Sequence, residues 1–158
     1  WMGMPYYEHS SPLLQTKPHR PYQYSFKPLR RLEQGRAPAR SGAATSMMDN
    51  SDGLVLSLYE LAEASGVGFL LQEEKIPIDP LVALVAEDRD DALDLALTAG
   101  GDFELIFTLR PEMIGEAARA CRLAVIGEVT AEGVRLQSAG GTEDLKPRGY
   151  EHLRSPEG

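Results

Sequence analysis

The stretch Ser46-Met47-Met48-Asp49-Asn50-Ser51-Asp52-Gly53-Leu54 decides how this chain is read. Before it, Ala43 to Met48 is a short small-to-apolar run that reads as a buried strand. After it, Leu54, Leu58, Leu61 and Ala62 recur at helical spacing until Gly66 stops them. Asp49 to Gly53 is the break between the two elements. Ser51 or Asp52 is placed to cap the helix, whose free first-turn amides and dipole favour a phosphate oxygen. Asp49 and Asp52 are hard oxygen donors, and Mg²⁺ commonly takes one or two carboxylates together with substrate phosphates. The same residues also suit a simple capped turn, a common arrangement ahead of a helix.

Working outward, the pattern stays regular on the carboxyl side. Gly68 to Glu73 reads as a strand, and Asp88 to Thr98 as an amphipathic helix carrying Ala92, Leu93, Leu95, Ala96 and Leu97. Phe103 to Leu109 alternates at period two, which predicts a half-buried strand. Pro111 opens a third helix, to about Arg122. Leu123 to Ile126 and Gly133 to Gln137 read as two short, hairpin-like strands flanking a Glu132-Gly133 turn. Short strands with a hairpin among them predict an α+β fold, a mixed β-sheet packed with helices, rather than a doubly wound parallel sheet.

On the amino side the composition changes near residue 42. The first 41 residues hold most of the prolines and aromatics and show no sustained apolar period. Residues 1–27 are expected to form an atypical Pro-rich, aromatic arm, extended or without fixed structure, or introduced in cloning because Trp1 is not a natural start. The basic residues Lys27, Arg30, Arg31, Arg36 and Arg40 read as a solvated face.

Two further segments carry polar chemistry. In Thr98-Ala99-Gly100-Gly101-Asp102-Phe103-Glu104-Leu105, paired glycines after a helix leave the backbone open to close approach. Asp102 and Glu104 are two apart at a strand start, so both are expected on one face, the open one. Near the end, Gly149-Tyr150-Glu151-His152-Leu153 sets an aromatic beside a glycine.

Bulk properties bound the partners. At 158 residues the chain suffices for one domain with a real core, and its 42% apolar and 25% charged composition is ordinary for a globular protein. A net charge of -8 argues against general affinity for nucleic acid or an anionic membrane. An acidic chain would hold a polyphosphate through a metal ion or backbone amides. Cys121 is the one cysteine and reads as a small buried apolar residue; with three scattered histidines it gives no zinc spacing. No apolar run approaches the roughly 20 residues of a membrane span, and no signal-peptide layout opens the chain. The cytoplasm is the expected location.

The three segments, in this order and spacing, resemble the carboxy-terminal half of thiamine-monophosphate kinases. That family's I-D-x-S-D-G-L is matched by Met48 to Leu54, and its G-G-E-D-Y-E-L by Ala99 to Leu105. A late I-G-x-V is matched by Ile126 to Val129, and the closing G-aromatic-acid-His-F by Gly149 to Leu153. The likeness runs from about Pro28 to Leu153, so residues 28–158 are expected to form the carboxy-terminal domain. The first signature is shared more loosely with a superfamily that includes aminoimidazole-ribonucleotide synthetases and selenophosphate synthetases. The fold implied is the carboxy-terminal domain of these aminoimidazole-ribonucleotide synthetase-like proteins.

The resemblance implies transfer of the γ-phosphoryl of ATP to thiamine monophosphate, giving thiamine diphosphate, with Mg²⁺ as cofactor and no covalent enzyme intermediate. It implies that Asp49 and Asp52 hold Mg²⁺ and that Ser51 contacts nucleotide phosphates. Gly100, Gly101, Asp102 and Glu104 would border the thiamine phosphate pocket, and Tyr150 would pack against the thiamine rings. The partners implied are thiamine monophosphate, ATP, an amino-terminal domain that residues 1–27 do not resemble, and a second copy in a homodimer; neither nucleic acid nor membrane is implied. The chain departs from the pattern at Asn50, at Gly101 where the family has Glu, at Phe103 where it often has Tyr, and at Leu153 where it ends in Phe. Without the amino-terminal half, little or no kinase activity is expected. The alternatives are a piece of another superfamily enzyme, such as an aminoimidazole-ribonucleotide synthetase, or a non-catalytic orphan or engineered domain associating through its amino-terminal arm.

Overall fold

The computed structural model describes residues 12–16, 35–36, 39–40, 42–101 and 104–149. Among these, the strands are β1 (Pro12–Thr16), β2 (Ala44–Asp49), β3 (Gly68–Gln72), β4 (Leu105–Leu109), β5 (Leu123–Thr130), β6 (Val134–Ser138) and β7 (Gly141–Asp144). The helices with defined bounds are α1 (Leu54–Ser65), α2 (Arg89–Thr98) and α3 (Ile114–Ala120), with single 3₁₀ turns at Glu73–Lys75, Val82–Leu84 and Pro111–Met113, and residues 35–36 and 39–40 are also helical. The strands make one sheet in the order β2-β4-β1-β5-β3-β6-β7. All described pairings are antiparallel except β3 with β6. The α+β mixed sheet expected from the pattern is the fold found.

Each helix has a local reason to form. In α1, Leu54, Val55, Leu58 and Leu61 make one buried stripe at helical spacing. Gly66 ends it in the left-handed conformation, φ 66°, where a glycine meets little penalty. In α2, the Asp88 carboxylate accepts the Asp91 backbone N–H at 2.9 Å, and Asp90 and Asp91 sit in the first turn, where the helix dipole favours negative charge.

Side chains alternate across the sheet, so two cores form. On one face, Leu54, Leu58 and Leu61 of α1 and Leu97 of α2 pack over Leu13, Phe69, Leu71, Ile106, Ile126, Val134 and Leu136. On the other, Ala117 of α3 and Cys121 cover Phe107 and Leu109, with Met47, Leu123 and Val125 at the margin. Strand β4 lies between β2 and β1, so Ile106, Phe107, Thr108 and Leu109 are all buried. The period-two alternation read as a half-buried strand is therefore a strand with an apolar core on each side. Each fully buried Leu or Phe contributes about 1.5–3 kcal/mol of burial.

Two expectations change. Residues 12–16 lie within the stretch expected to be an arm, yet β1 is the third strand of the sheet and Leu13 is fully buried. Pro12 is tolerated as the first residue of the strand. The sheet thus begins ahead of the 27/28 boundary; the rest of that stretch lies outside the described residues. Second, β5 and β6 do not form a hairpin, because β3 lies between them, antiparallel to β5 and parallel to β6. The Phe69 N–H donates to the Gly133 carbonyl at 2.7 Å, so the 131–133 turn is wide enough to admit the start of β3. The hairpin partner of β6 is instead β7, whose residues are all exposed at the sheet margin. Glu143 and Asp144 there suit an edge that must not recruit further strands.

The pairings also fix direction. Strands β1, β2, β3 and β6 run the same way, so Asp49, Gln72 and Ser138 end at one rim of the sheet, where β4 begins. That rim carries the candidate site.

Candidate functional site

Strand β2 delivers Asp49 to the rim, opposite Leu105 of β4 and exposed. The chain then turns through Asn50, Ser51 and Asp52 into α1. Asn50 is fully buried, and its backbone N–H donates to the Glu104 carbonyl at 2.8 Å. Ser51 and Asp52 are half-buried.

Neither Ser51 nor Asp52 caps the helix. The N-cap is Gly53, with φ 97° and ψ 150°, and no side chain accepts from the first turn. That backbone conformation is open almost only to glycine. A second constraint agrees: a Cβ at Gly53 would stand 2.6 Å from the Thr98 carbonyl oxygen. The expected side-chain cap is thus replaced by a close backbone crossing, and the first turn of α1 keeps its amides free of a local carboxylate or hydroxyl.

The glycine-rich segment closes on this turn. The Gly101 N–H donates to the Ser51 carbonyl at 2.8 Å, and Gly101 has φ 91°. Gly100 and Gly101 are exposed. Glu104, expected on an open face with Asp102, is instead 1% exposed. The strand alternation explains this: Glu104 shares the parity of Ile106, which faces the α1 core. Asp102 and Tyr150 lie outside the described residues.

The carboxyl segment reaches the same place from the far side of α1. The Tyr59 hydroxyl donates to the Leu145 carbonyl at 2.6 Å, and the Leu145 N–H donates to the Val134 carbonyl at 2.9 Å. Gly149 then lies so close to the Asp52 carbonyl and to Leu56 that a Cβ would overlap both. Segments distant in sequence, 49–53, 98–101 with Glu104, and 145–149, therefore meet at one corner of the sheet.

Among the described residues, no three His, Cys, Asp or Glu side chains are grouped to hold a metal. Asp49 and Asp52 alone offer the one or two carboxylates that Mg²⁺ takes when phosphate oxygens and water complete its shell. The donor set fits such an ion as part of a shared site. It does not make a self-sufficient metal cage. Cys121 is buried under α3, and burial pushes its thiol above the usual range, as expected of a packing residue. A cavity of 410 Å³, lined by Gln72, Glu73, Arg89 and Gln137, opens at the same rim beside β3 and β6. Sequence reading did not indicate it, because its residues come from four separate elements. Among the described residues no helix is long and apolar enough to cross a membrane.

A mixed seven-stranded sheet with α1 and α2 on one face and an aspartate-bearing turn at its rim matches a known domain. The chain belongs to the family described as AIR synthase related protein, C-terminal domain, whose model matches residues 13–138. Within that family it is like thiamine-monophosphate kinases. It is 45% identical over 98 residues to the thiamine-monophosphate kinase of Halobacterium salinarum, covering 59% of this chain and 33% of that protein. The solved structure of AaThiL complexed with AMPPCP and TMP superposes with a TM-score of 0.73 at 22% identity, over 91% of this chain and 51% of that one. The hydrogenase maturation protein HypE of E. coli does so with a TM-score of 0.70 at 19% identity, over 92% of this chain and 52% of that one. At those identities the structural likeness shows the fold alone. This chain spans about a third of the Halobacterium relative and half of the two solved chains.

Proposed function

We propose that these residues form the phosphate- and metal-holding half of a thiamine-monophosphate kinase, working in the cytoplasm. The observation that carries the reading is the meeting of Asp49 to Gly53, Thr98 to Gly101, Glu104 and Gly149 at the uncapped start of α1. In the reaction, a phosphate oxygen of thiamine monophosphate attacks the γ-phosphorus of ATP, the bond to the β-γ bridging oxygen breaks, and ADP leaves. The work of the protein is positioning and charge neutralisation.

Asp49 and Asp52 would hold Mg²⁺, which supplies positive charge against the phosphates of ATP. Ser51 stands between them in the turn and is half-buried, and it would contact an oxygen held by the first-turn amides. Gly100 and Gly101 present exposed backbone that a phosphate or ring can approach closely. Asp102 and Tyr150 keep the roles the resemblance gives them, bordering the phosphate pocket and packing on the thiamine rings. Glu104 takes a different part. Buried, with its carbonyl bound by Asn50, it supports the turn from beneath instead of touching substrate.

The 45% identity to the thiamine-monophosphate kinase of Halobacterium salinarum supports this over the other superfamily chemistries. The residues of such a kinase beyond this span would supply the rest of the nucleotide surface and a homodimer contact. The test is calorimetric titration of the chain with AMPPCP in Mg²⁺, with and without thiamine monophosphate. The reading expects Mg²⁺-dependent binding, weakened at least tenfold in Asp49→Asn and Asp52→Asn with the fold intact. Binding that ignores Mg²⁺ and both substitutions would overturn it. Little or no ADP release is expected from this chain alone.

A further inference from the structure

The segment after β7 is tied down at both ends, and one tie is ionic. Tyr59 holds Leu145 at the far end. At the near end the Arg148 guanidinium pairs with the Asp94 carboxylate on α2. The same turn of α2 is bound to the site, because the Asp94 carbonyl accepts the Thr98 hydroxyl at 2.7 Å and the Thr98 carbonyl abuts Gly53. The residue after Arg148, Gly149, presses on the Asp52 carbonyl and Leu56. One ion pair therefore links two surfaces that both touch the Asp49–Gly53 turn, one through Thr98 and the other through Gly149.

We propose that Arg148, through Asp94, is a positioning residue: its ion pair latches the 145–149 strap across the start of α1 and holds the Asp52 turn in its ligand-binding shape. This rests on the reading of that turn as a metal-phosphate site. The latch acts without Arg148 touching a ligand. Both side chains are largely exposed, 63% and 47%, so the coupling is a modest one. An exposed pair of this kind shifts a local equilibrium by about two- to fivefold.

The experiment compares the full chain with Arg148→Glu, Arg148→Lys and the charge swap Arg148→Asp with Asp94→Arg. Hydrogen exchange at the amides of residues 51–57 reads the latch directly, since opening of the turn sets their exchange rate. Calorimetry with Mg²⁺ and AMPPCP reads its consequence. Arg148→Glu is expected to speed exchange and weaken binding, each by about two- to fivefold. Arg148→Lys and the swap are expected to restore both. A merely structural role would instead lower the melting temperature without a local change at 51–57. Unchanged exchange in Arg148→Glu, or a change the swap does not repair, overturns the latch. Should the parent chain fail to bind Mg²⁺ and AMPPCP, the reading of the site falls, while the exchange measurements still decide the latch.

Discussion

Replacing Gly53 with alanine tests the geometry of the site corner more sharply than removing any charge. Gly53 is buried at φ 97°, ψ 150°, and its hydrogen position faces the Thr98 carbonyl. Alanine there meets two separate penalties. The backbone region is nearly closed to residues with a Cβ, which costs of order 1–3 kcal/mol. The new methyl would also stand 2.6 Å from the Thr98 oxygen and 3.0 Å from its carbonyl carbon, so α1 and the end of α2 must separate. A forced shift in packed structure costs about 1–3 kcal/mol more. The sum is about 2–6 kcal/mol, which for a chain of this size lowers the melting temperature by roughly 4–24 °C.

Gly66→Ala is the internal control. Gly66 is also at positive φ, 66°, but nothing lies within 4 Å of its missing Cβ. It carries the left-handed penalty alone, about 1–2 kcal/mol. Urea unfolding of the parent and both variants, followed by circular dichroism, gives the comparison. The expected order is parent, then Gly66→Ala, then Gly53→Ala, with the last pair separated by at least about 1 kcal/mol. If Gly53→Ala unfolds with or above Gly66→Ala, the backbone crossing between Gly53 and Thr98 is not as described, and the convergence built on it fails.

Two other outcomes follow from local chemistry. Asp88→Ala removes the side-chain acceptor of the Asp91 N–H and is expected to destabilise α2 by about 1 kcal/mol, read as a lower urea midpoint with unchanged slope. Cys121 is buried and its thiol is pushed up, so it should react with a disulfide reagent at neutral pH only as fast as the domain opens; labelling at the rate of a free thiol in the folded chain would contradict its place under α3.

Where a segment's own pattern decides its structure, the sequence was readable. Helix α1 has an apolar stripe and a glycine stop, α2 has an aspartate cap, and β3 is a short apolar run. What could not be read was decided by partners elsewhere. Strand β1 is five residues, opens on Pro12 and sits among polar and proline-rich neighbours, so nothing local marks Leu13 as core. Its burial comes from β4 and β5, more than 90 positions away in the chain. The supposed hairpin of β5 and β6 fails for a similar reason. A turn at Glu132-Gly133 is compatible with direct pairing, and only the insertion of β3 excludes it. β7 has no apolar alternation and forms by pairing with β6 at the margin.

The site shows the same division. Asp49, Ser51, Asp52 and the paired glycines were visible as residue types at a strand-to-helix break, but their burial was not. The alternation sets Phe103 and Leu105 on a core side and so leaves Glu104 on an open one, but β4 is enclosed on both faces. The cap was misassigned because Ser51 and Asp52 both satisfy the rule for an N-cap, and local rules do not register a carbonyl arriving from Thr98. That failure is itself informative. A serine and an aspartate stand next to the first turn of α1, and neither is used to satisfy it. Glycine at the cap brings α2 into contact and leaves both side chains to the rim. Had either side chain turned in to cap the helix, it would compete with a phosphate for the same amides. The stability given up locally is recovered by the backbone bonds from Gly101 to Ser51 and from Asn50 to Glu104, which hold the turn without drawing on its oxygen donors. Both bonds that hold the corner are between backbone groups, and neither uses the side chain of Ser51 or Asp52.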